Sequence, residues 1–301
     1  MGKRLKIAVV GLPLFGKRYA EHLNKFQFEN CSAQYFNSFY KKADKLKLFL
    51  KLKNFDVLVS INGTLNDSKA FDLAIKNKIP IVMNWVGSDV LEARKAININ
   101  EYRQDYIGYA THLCEVDWIK TELKELGIEA KVLNFLHFNS EQVAEPFDRK
   151  NLKVISYINR NNPSFYGLDK LKWIASQLPE VQFTVAGYEE SNTNNINYHG
   201  WVDDLPSLVN KHQLVFRFTD HDGLSNMVLE SLYLKRIVLY NNPLENCIFV
   251  KTKEEAKEYL EQLDVNDLDL NSRGKRFVED KFSHDKIYKA QLKLLNEVVN
   301  G

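Results

Sequence analysis

Fourteen residues concentrate more reactive chemistry than any other stretch of this sequence: Arg217-Phe218-Thr219-Asp220-His221-Asp222-Gly223-Leu224-Ser225-Asn226-Met227-Val228-Leu229-Glu230. The apolar run Leu214–Phe218 predicts a buried strand, and Asn226–Leu234 predicts a helix. Between them lies a polar loop containing Gly223. Free amides at such a helix start bind anions or hydroxyl groups. With a helix start near Ser225, Asp222 lies in the loop and Glu230 about a turn and a half inside. A carboxylate can accept two hydroxyl protons, so this pair suits a polyhydroxylated ligand. The alternative is a capping Asp222 and a solvent-facing Glu230. The neighbours Val228, Leu229 and Leu232 are of buried type, however, and a carboxylate among them needs a partner.

Two further segments carry weaker signals. Gly11-Leu12-Pro13-Leu14-Phe15-Gly16 follows the apolar strand Leu5–Val10. Gly11 and Gly16 would let backbone approach an anionic group at a helix start, or would only make the turn. The segment is neither the dinucleotide fingerprint nor a P-loop. Trp85-Val86-Gly87-Ser88-Asp89-Val90 also follows a buried strand. Ser88 or Asp89 can cap the next helix, and Asp89 can also hydrogen-bond a ligand hydroxyl.

The elements that must position these residues alternate strand and helix. Strands are predicted at Leu5–Val10, Ala33–Phe36, Val57–Ile61, Ile79–Asn84, Tyr109–Cys114 and Ala130–Leu133, then at Leu152–Tyr157, Gln182–Ala186, Leu214–Phe218 and Ile237–Tyr240. A helix running to about Phe26 follows the first strand, and Asp117–Leu126 is another. Later helices are predicted at Leu168–Gln177, Asp203–Asn210, Asn226–Leu234, Lys253–Gln262, Ser272–Lys281 and Ser283–Val299. This is the pattern of parallel, doubly wound sheets, an α/β class with two Rossmann-like domains facing a cleft. The aperiodic stretch Asn139–Lys150 predicts the linker. The domains expected are 1–145 and 146–283, with a terminal helix at 284–301 packing back on the first.

Composition excludes several classes. With 45% hydrophobic and 12% aromatic residues the chain is globular. No apolar stretch is long enough for a membrane span, and the basic start MGKRLK lacks a signal-peptide core. Cys31, Cys114 and Cys247 are scattered and odd in number, which fits thiols of a reducing cytoplasm and not a zinc site. The net charge of +2 argues against nucleic acid as a partner. Charge is nonetheless uneven: residues 1–54 hold 12 basic and 3 acidic side chains. Residues 41–53 place six lysines around an apolar stripe of Ala43, Leu46, Phe49, Leu50 and Leu52. Either the stripe packs on the sheet and the lysines form a solvated face, or the helix also holds the protein at an anionic membrane surface.

The C-terminal half resembles the donor domain of the family 4 glycosyltransferases, which have the two-domain GT-B fold. The family's paired acidic signature is similar to Asp222-Gly223 with Glu230-Ser231-Leu232-Tyr233-Leu234-Lys235-Arg236-Ile237-Val238. Its Gly-Arg aligns with Asn159-Arg160, its strand glycine with Val185-Ala186-Gly187, and its Gly-x-Val with His199-Gly200-Trp201-Val202. The N-terminal half is similar in layout, including Ile79-Pro80-Ile81-Val82. The resemblance implies a retaining, metal-independent glycosyltransferase with a nucleotide-diphosphate sugar as co-substrate and no cofactor. The acceptor would be a glycan or lipid-linked glycan, bound near Gly11, Gly16 and Asp89, in cell-surface polysaccharide or glycolipid synthesis. Glu230 would bind ribose hydroxyls, and Asp222 would contact the sugar ring. Gly223, Leu224 and Ser225 would meet sugar or phosphate through their amides, with Thr219 and Gly187 beside them. Arg160 would neutralise the diphosphate, and Trp201-Val202 would lie near the base. The sequence departs from the family at Tyr166-Gly167, where a phosphate-binding Lys is usual, at Asp222, one methylene short, and at Lys235-Arg236-Ile237, where Gly-x-Pro is usual. A further departure is Trp85-Val86-Gly87, where many relatives carry a His. Arg217 is the candidate replacement for the missing cation. These departures keep two other readings open: an inactive sugar-nucleotide-binding or scaffold protein, and a sugar-nucleotide epimerase of the same fold.

Overall fold

A computed structural model describes residues 4–25, 31–135 and 142–301. The chain divides into two compact units, residues 1–137 with 284–301, and residues 138–283. Part of the expected linker, and Phe26 at the expected end of the first helix, lie outside the described residues.

Unit 1 runs β1 (Leu5–Gly11), α1 (Pro13–Lys25), β2 (Cys31–Tyr35), α2 (Lys42–Lys51), β3 (Val57–Ile61), α3 (Lys69–Lys76), β4 (Ile81–Trp85), α4 (Ser88–Asn98), α5 (Gln104–Tyr109), β5 (Ala110–Cys114), α6 (Asp117–Glu125) and β6 (Ala130–Val132). Its sheet is parallel throughout, in the order β2-β1-β3-β4-β5-β6. β3 and β4 are buried along their whole length, as strands covered on both faces must be. That double burial is why their sequences read as nearly continuous apolar runs, interrupted only by the buried Ser60 and Asn84.

Unit 2 runs β7 (Lys153–Tyr157), α7 (Leu168–Gln177), β8 (Gln182–Ala186), β9 (Ile196–Gly200), α8 (Leu205–Asn210), β10 (Leu214–Arg217), α9 (Asn226–Tyr233), β11 (Ile237–Tyr240), β12 (Ile248–Phe249), α10 (Lys253–Glu261) and α11 (Ser272–Lys281). Its sheet is also parallel, ordered β12-β11-β10-β7-β8-β9. The two edge strands, β9 and β12, have no counterpart in the sequence-based expectation. β9 carries the polar residues of Ile196-Asn197-Tyr198-His199-Gly200 and buries only its ends, and β12 has two residues. Neither shows the apolar run of a central strand.

The last helix, α12 (His284–Asn300), belongs to unit 1. Its Tyr288, Leu294 and Leu295 join Ile7, Val9 and Tyr19 in one core. Gln291, fully buried, accepts from the Tyr19 hydroxyl at 3.1 Å and donates to the Asn134 carbonyl at 2.8 Å.

Two local features differ from the sequence-based expectation. The turn after β1 is shorter than Gly11–Gly16, because α1 starts at Pro13, where proline's fixed φ suits a first helical position. Gly16 is inside that helix, and a Cβ there would stand 2.6 Å from the Tyr35 ring. Its role is close helix–strand packing. The second difference is the apolar stripe of residues 43–52. Leu52 is buried, together with Leu48, while Leu46, Phe49 and Leu50 are exposed. α2 packs mainly on α3 and on a short 3₁₀ turn at Leu52–Asn54, so a narrow seam suffices.

The junction of α9 and β11 shows how the chain manages without a glycine. Lys235 takes a left-handed φ of 56°. Arg236, fully buried, donates through Nε to the Leu234 carbonyl at 2.7 Å and through Nη1 to the carbonyls of Asn210 and His212 at 3.3 and 3.1 Å. Nη2 reaches the Glu145 carbonyl, and the guanidinium covers the Phe147 ring at 4.7 Å. Burial lowers its pKa to about 10, so the charge is retained at neutral pH. Arg236→Met would leave these carbonyls without donors, at about 1–3 kcal/mol for a buried orphaned group. We expect a loss of about 3 kcal/mol or more in urea-unfolding stability. A loss below about 1 kcal/mol would show that water replaces the guanidinium.

Candidate functional site

In each sheet the winding reverses once: between β1 and β3 in unit 1, and between β7 and β10 in unit 2. Loops leaving adjacent strands at such a reversal run to opposite faces and leave a crevice at the strands' C-terminal ends, where doubly wound sheets bind ligands. The sequence-selected residues distribute around these two points unequally.

In unit 2 the loop from Thr219 to Ser225 leaves β10 and is fixed at both sides. The Thr219 amide donates to Asn241 Oδ1 at 3.2 Å, and Asn241 Nδ2 donates to the Thr219 carbonyl at 2.7 Å. On the other side the Asp220 amide donates to the Phe165 carbonyl at 2.9 Å, and Lys170 Nζ meets Asp220 Oδ1 at 2.7 Å. Gly167, with φ of 85°, lies so close that a Cβ would fall 2.0 Å from the Phe218 carbonyl oxygen. No side chain fits there. The Thr219 hydroxyl is buried and has no hydrogen-bond partner among the described residues.

The centre of this loop is an ion pair. Arg217 Nε donates to Asp222 Oδ2 at 2.8 Å, with both side chains nearly buried. The Tyr240 hydroxyl donates to the same carboxylate oxygen at 3.3 Å or to the Gly223 carbonyl at 3.1 Å. The Arg217 guanidinium also faces the Tyr166 ring at 5.1 Å. Burial opposes its charge, but Asp222, with Tyr240 and Tyr166, raises the pKa above its ordinary value. Arg217 and Asp222, selected separately from the sequence, are therefore one unit.

α9 begins directly after Ser225, which is buried and makes no side-chain capping bond. Met227, Val228, Leu229, Ser231 and Leu232 face inward. Glu230 is half-buried, one helical turn past the exposed Asn226 and on the same face. Gly223 is buried and Leu224 is half-buried. At the neighbouring strand, Arg160 lies exposed in the turn after β7, where Asn159 Oδ1 accepts from the Asn161 amide at 2.9 Å. Thus Arg160 and the β10 loop share the reversal point. Gly187 and Trp201-Val202 lie further along the sheet, after β8 and β9. Gly187 takes φ of 85°, and a Cβ there would meet the Ile158 carbonyl at 2.6 Å. Trp201 is exposed, its Nε1 donating to Asp203 at 2.8 Å.

In unit 1 a cavity of about 540 Å³ opens at the ends of β1 and β3. Gly11, Lys45, Phe49, Ser60, Asn62 and Thr64 are among its lining residues. Gly11 has φ of 102°, and a Cβ there would strike the Ile61 carbonyl at 2.3 Å. Gly16 and Asp89 do not line the cavity. Asp89 is buried, with Oδ1 accepting from Val86, Gly87 and Val90 at 2.8–3.1 Å, and Oδ2 from Gly63 at 2.7 Å and Val86 at 3.0 Å. It ties the loop after β4 to the loop after β3. Burial raises its pKa, and those amide bonds pull it down. Among the described residues no group of three His, Cys, Asp or Glu could hold a metal ion.

Sequence reasoning did not select Asn241, Lys170, Tyr240 or Glu115. Asn241 and Tyr240 act across neighbouring strands and leave no local pattern. Lys170 stands one helical turn past Tyr166, where the resemblance expects a cation, and that spacing was its available signal.

These units have known counterparts. No family model matches the chain, and no curated protein matches it. Among solved structures, HepE from Anabaena in complex with UDP-glucose is similar with a TM-score of 0.70 at 14% identity, covering 98% of this chain and all of that one. The fold is GT-B. Sucrose-phosphate synthase from Thermosynechococcus elongatus is similar over 98% of this chain and 99% of its own, with a TM-score of 0.69 at 9% identity. TarM from S. aureus, in complex with fondaparinux, α-GlcNAc-glycerol and UDP, is similar over 84% of this chain and 58% of its own, at 13% identity and a TM-score of 0.61.

Two predictions follow from the geometry of this GT-B chain. Glu115 follows β5, and burial, with the charge of Asp89, pushes its carboxyl up to about 8 despite a backbone bond from Phe135. In the unfolded chain it titrates near 4.5. The cost of ionising it in place therefore grows from pH 4.5 to pH 8 and is constant above. Glu115→Gln is expected to raise Tm relative to wild type at pH 8 and to leave it unchanged at pH 4.5. A pH-independent difference would remove the titration. For the ion pair, a double-mutant cycle of Arg217→Met and Asp222→Asn should show coupling of about 1–3 kcal/mol, since each single change strands a desolvated charge. Additive single effects would mean that solvent screens the pair.

Proposed function

We propose that this chain is a glycosyltransferase that moves a sugar from a nucleotide-diphosphate sugar to an acceptor hydroxyl with retention at the anomeric carbon, in polysaccharide or glycolipid synthesis. The observation that carries the reading is the β7/β10 reversal point. The turn after β7, with the exposed Arg160, and the loop after β10, with the buried Thr219 hydroxyl and the Gly223–Ser225 backbone, leave adjacent strands there, and the half-buried Glu230 follows in α9. That set suits an anionic, polyhydroxylated ligand and supplies no redox group. The GT-B fold, and the UDP-glucose held by HepE, support the same reading.

In this reading unit 2 holds the donor and unit 1 the acceptor. Glu230 accepts the two ribose hydroxyls, and Trp201-Val202 lie toward the base. The loop amides meet the sugar and phosphate, and the Thr219 hydroxyl gains the partner it lacks. The anomeric C–O bond breaks with its electron pair leaving on the diphosphate. The acceptor oxygen forms the new C–O bond and passes its proton to an oxygen of the departing diphosphate. The developing charge on the diphosphate is stabilised by Arg160 and the α9 N-terminus. Arg217 acts with Asp222, and that pair orients the carboxylate toward the sugar ring. These fixed dipoles and cations serve in place of a metal.

Glu230→Ala should weaken nucleotide-sugar binding by roughly 2–4 kcal/mol, measured by calorimetry with the best ligand from a thermal-shift screen of UDP-, GDP-, ADP- and CMP-sugars. Unchanged affinity in a folded variant would remove the ribose role. Activity should survive chelation; loss that added Mg²⁺ or Mn²⁺ restores would overturn the metal-free mechanism. Released nucleoside diphosphate separates transfer or hydrolysis from epimerisation, and its absence with tight donor binding would favour a scaffold.

A further inference from the structure

Unit 1 carries an exposed apolar face with a cationic margin. Phe39, Tyr40, Leu46, Phe49 and Leu50 are 60–82% exposed. These five, among twelve exposed large apolar side chains in the described residues, fall within a stretch of twelve residues. Leu46, Phe49 and Leu50 stand at i, i+3 and i+4 on α2, so they share one face. Phe39 and Tyr40 precede the helix, their rings edge to face at 4.8 Å. A patch of this kind on an otherwise polar surface marks an interaction site.

The charges around it select the partner. Lys41, Lys42, Lys45, Lys47 and Lys51 are all exposed. The one acid in the stretch, Asp44, is half-buried, accepts from the Asn37 amide at 3.2 Å and lies 3.6 Å from Lys47. A second copy of this face would bring like charges together. An anionic bilayer complements both parts, because the lysines can reach phosphate headgroups while the apolar side chains enter the acyl boundary. α2 has ten residues, about 15 Å, and no helix of the described residues is long and apolar enough to cross a membrane. The helix would lie in the interface plane.

We propose that α2, with Phe39 and Tyr40, docks unit 1 on an anionic lipid surface. The apolar face is as much part of the contact as the lysines, so salt alone does not abolish it. The cavity shares this rim, since Phe39, Lys45 and Phe49 also line it.

The test is flotation of the full chain with vesicles of phosphatidylglycerol and phosphatidylcholine, with no sugar nucleotide present. It is independent of the proposed activity. Wild type should float with anionic vesicles at low salt, retain a fraction at 0.5 M salt, and float poorly with pure phosphatidylcholine. Each of Lys42→Gln and Lys47→Gln should lower partitioning about fivefold. The triple variant Leu46→Glu/Phe49→Glu/Leu50→Glu should abolish it with unchanged Tm, because these side chains are exposed. Flotation of the triple variant equal to wild type, or equal binding of wild type to neutral vesicles, would overturn the proposal. So would sedimentation showing a wild-type dimer that the triple variant dissolves, since the face would then belong to a second copy.

Discussion

A parallel sheet wound in two directions from its middle has one place where loops diverge instead of covering the strand ends. That constraint organises both units. It follows from right-handed crossovers: chain that continues to one side puts its helices on one face, and chain that returns to the other side puts them on the opposite face. In unit 2 the divergence falls between β7 and β10. The residues there come from segments nearly sixty positions apart, and only strand pairing makes them neighbours. The apolar content of β10 is therefore as much a requirement of the site as the acids that follow it.

The loop after β10 also shows how a polar segment with buried charges is held in place. Arg217 and Asp222 are costly to bury singly and tolerable as a pair. Tyr240 and the reciprocal Thr219–Asn241 amide pair fix the surrounding backbone. At the start of the neighbouring strand, Arg236 does similar work by spending its donors on backbone carbonyls. The family-like Gly-x-Pro is replaced by Lys235-Arg236-Ile237 without loss of the turn, since Lys235 adopts the left-handed conformation itself. A departure that looks functional in the sequence is structural in the folded chain.

How much was legible depended on whether the determining contacts were local. β3, β8, β11, α7 and α11 have the bounds that their apolar patterns predict, because burial on a covered sheet or on one helical face writes a period into the sequence. β9 was not legible, since an edge strand need not be apolar. Which side chains of α2 are covered was not legible, because its hydrophobic residues exceed what its narrow seam can cover: Leu48 and Leu52 are buried, and Leu46, Phe49 and Leu50 are exposed. At the candidate site, Asp222, Gly223 and Glu230 were selected through their loop-and-helix context. The bond between Arg217 and Asp222, the clamp from Asn241 and the proximity of Glu115 to Asp89 were not, because each depends on two strands or on a folded loop.

The return of α12 to unit 1 has a consequence for how the protein is made. Unit 2 is in effect an insertion in unit 1, whose core lacks Tyr288, Leu294 and Leu295 until the end of the chain is available. At roughly 5–20 residues per second on the ribosome, the gap between the two parts of unit 1 lasts on the order of ten seconds. During that interval the inward faces of β1 and α1 are without their final cover, while unit 2, being continuous, can close on itself. Biogenesis thus favours the opposite order from the sequence: the second unit matures first, and the first is sealed last.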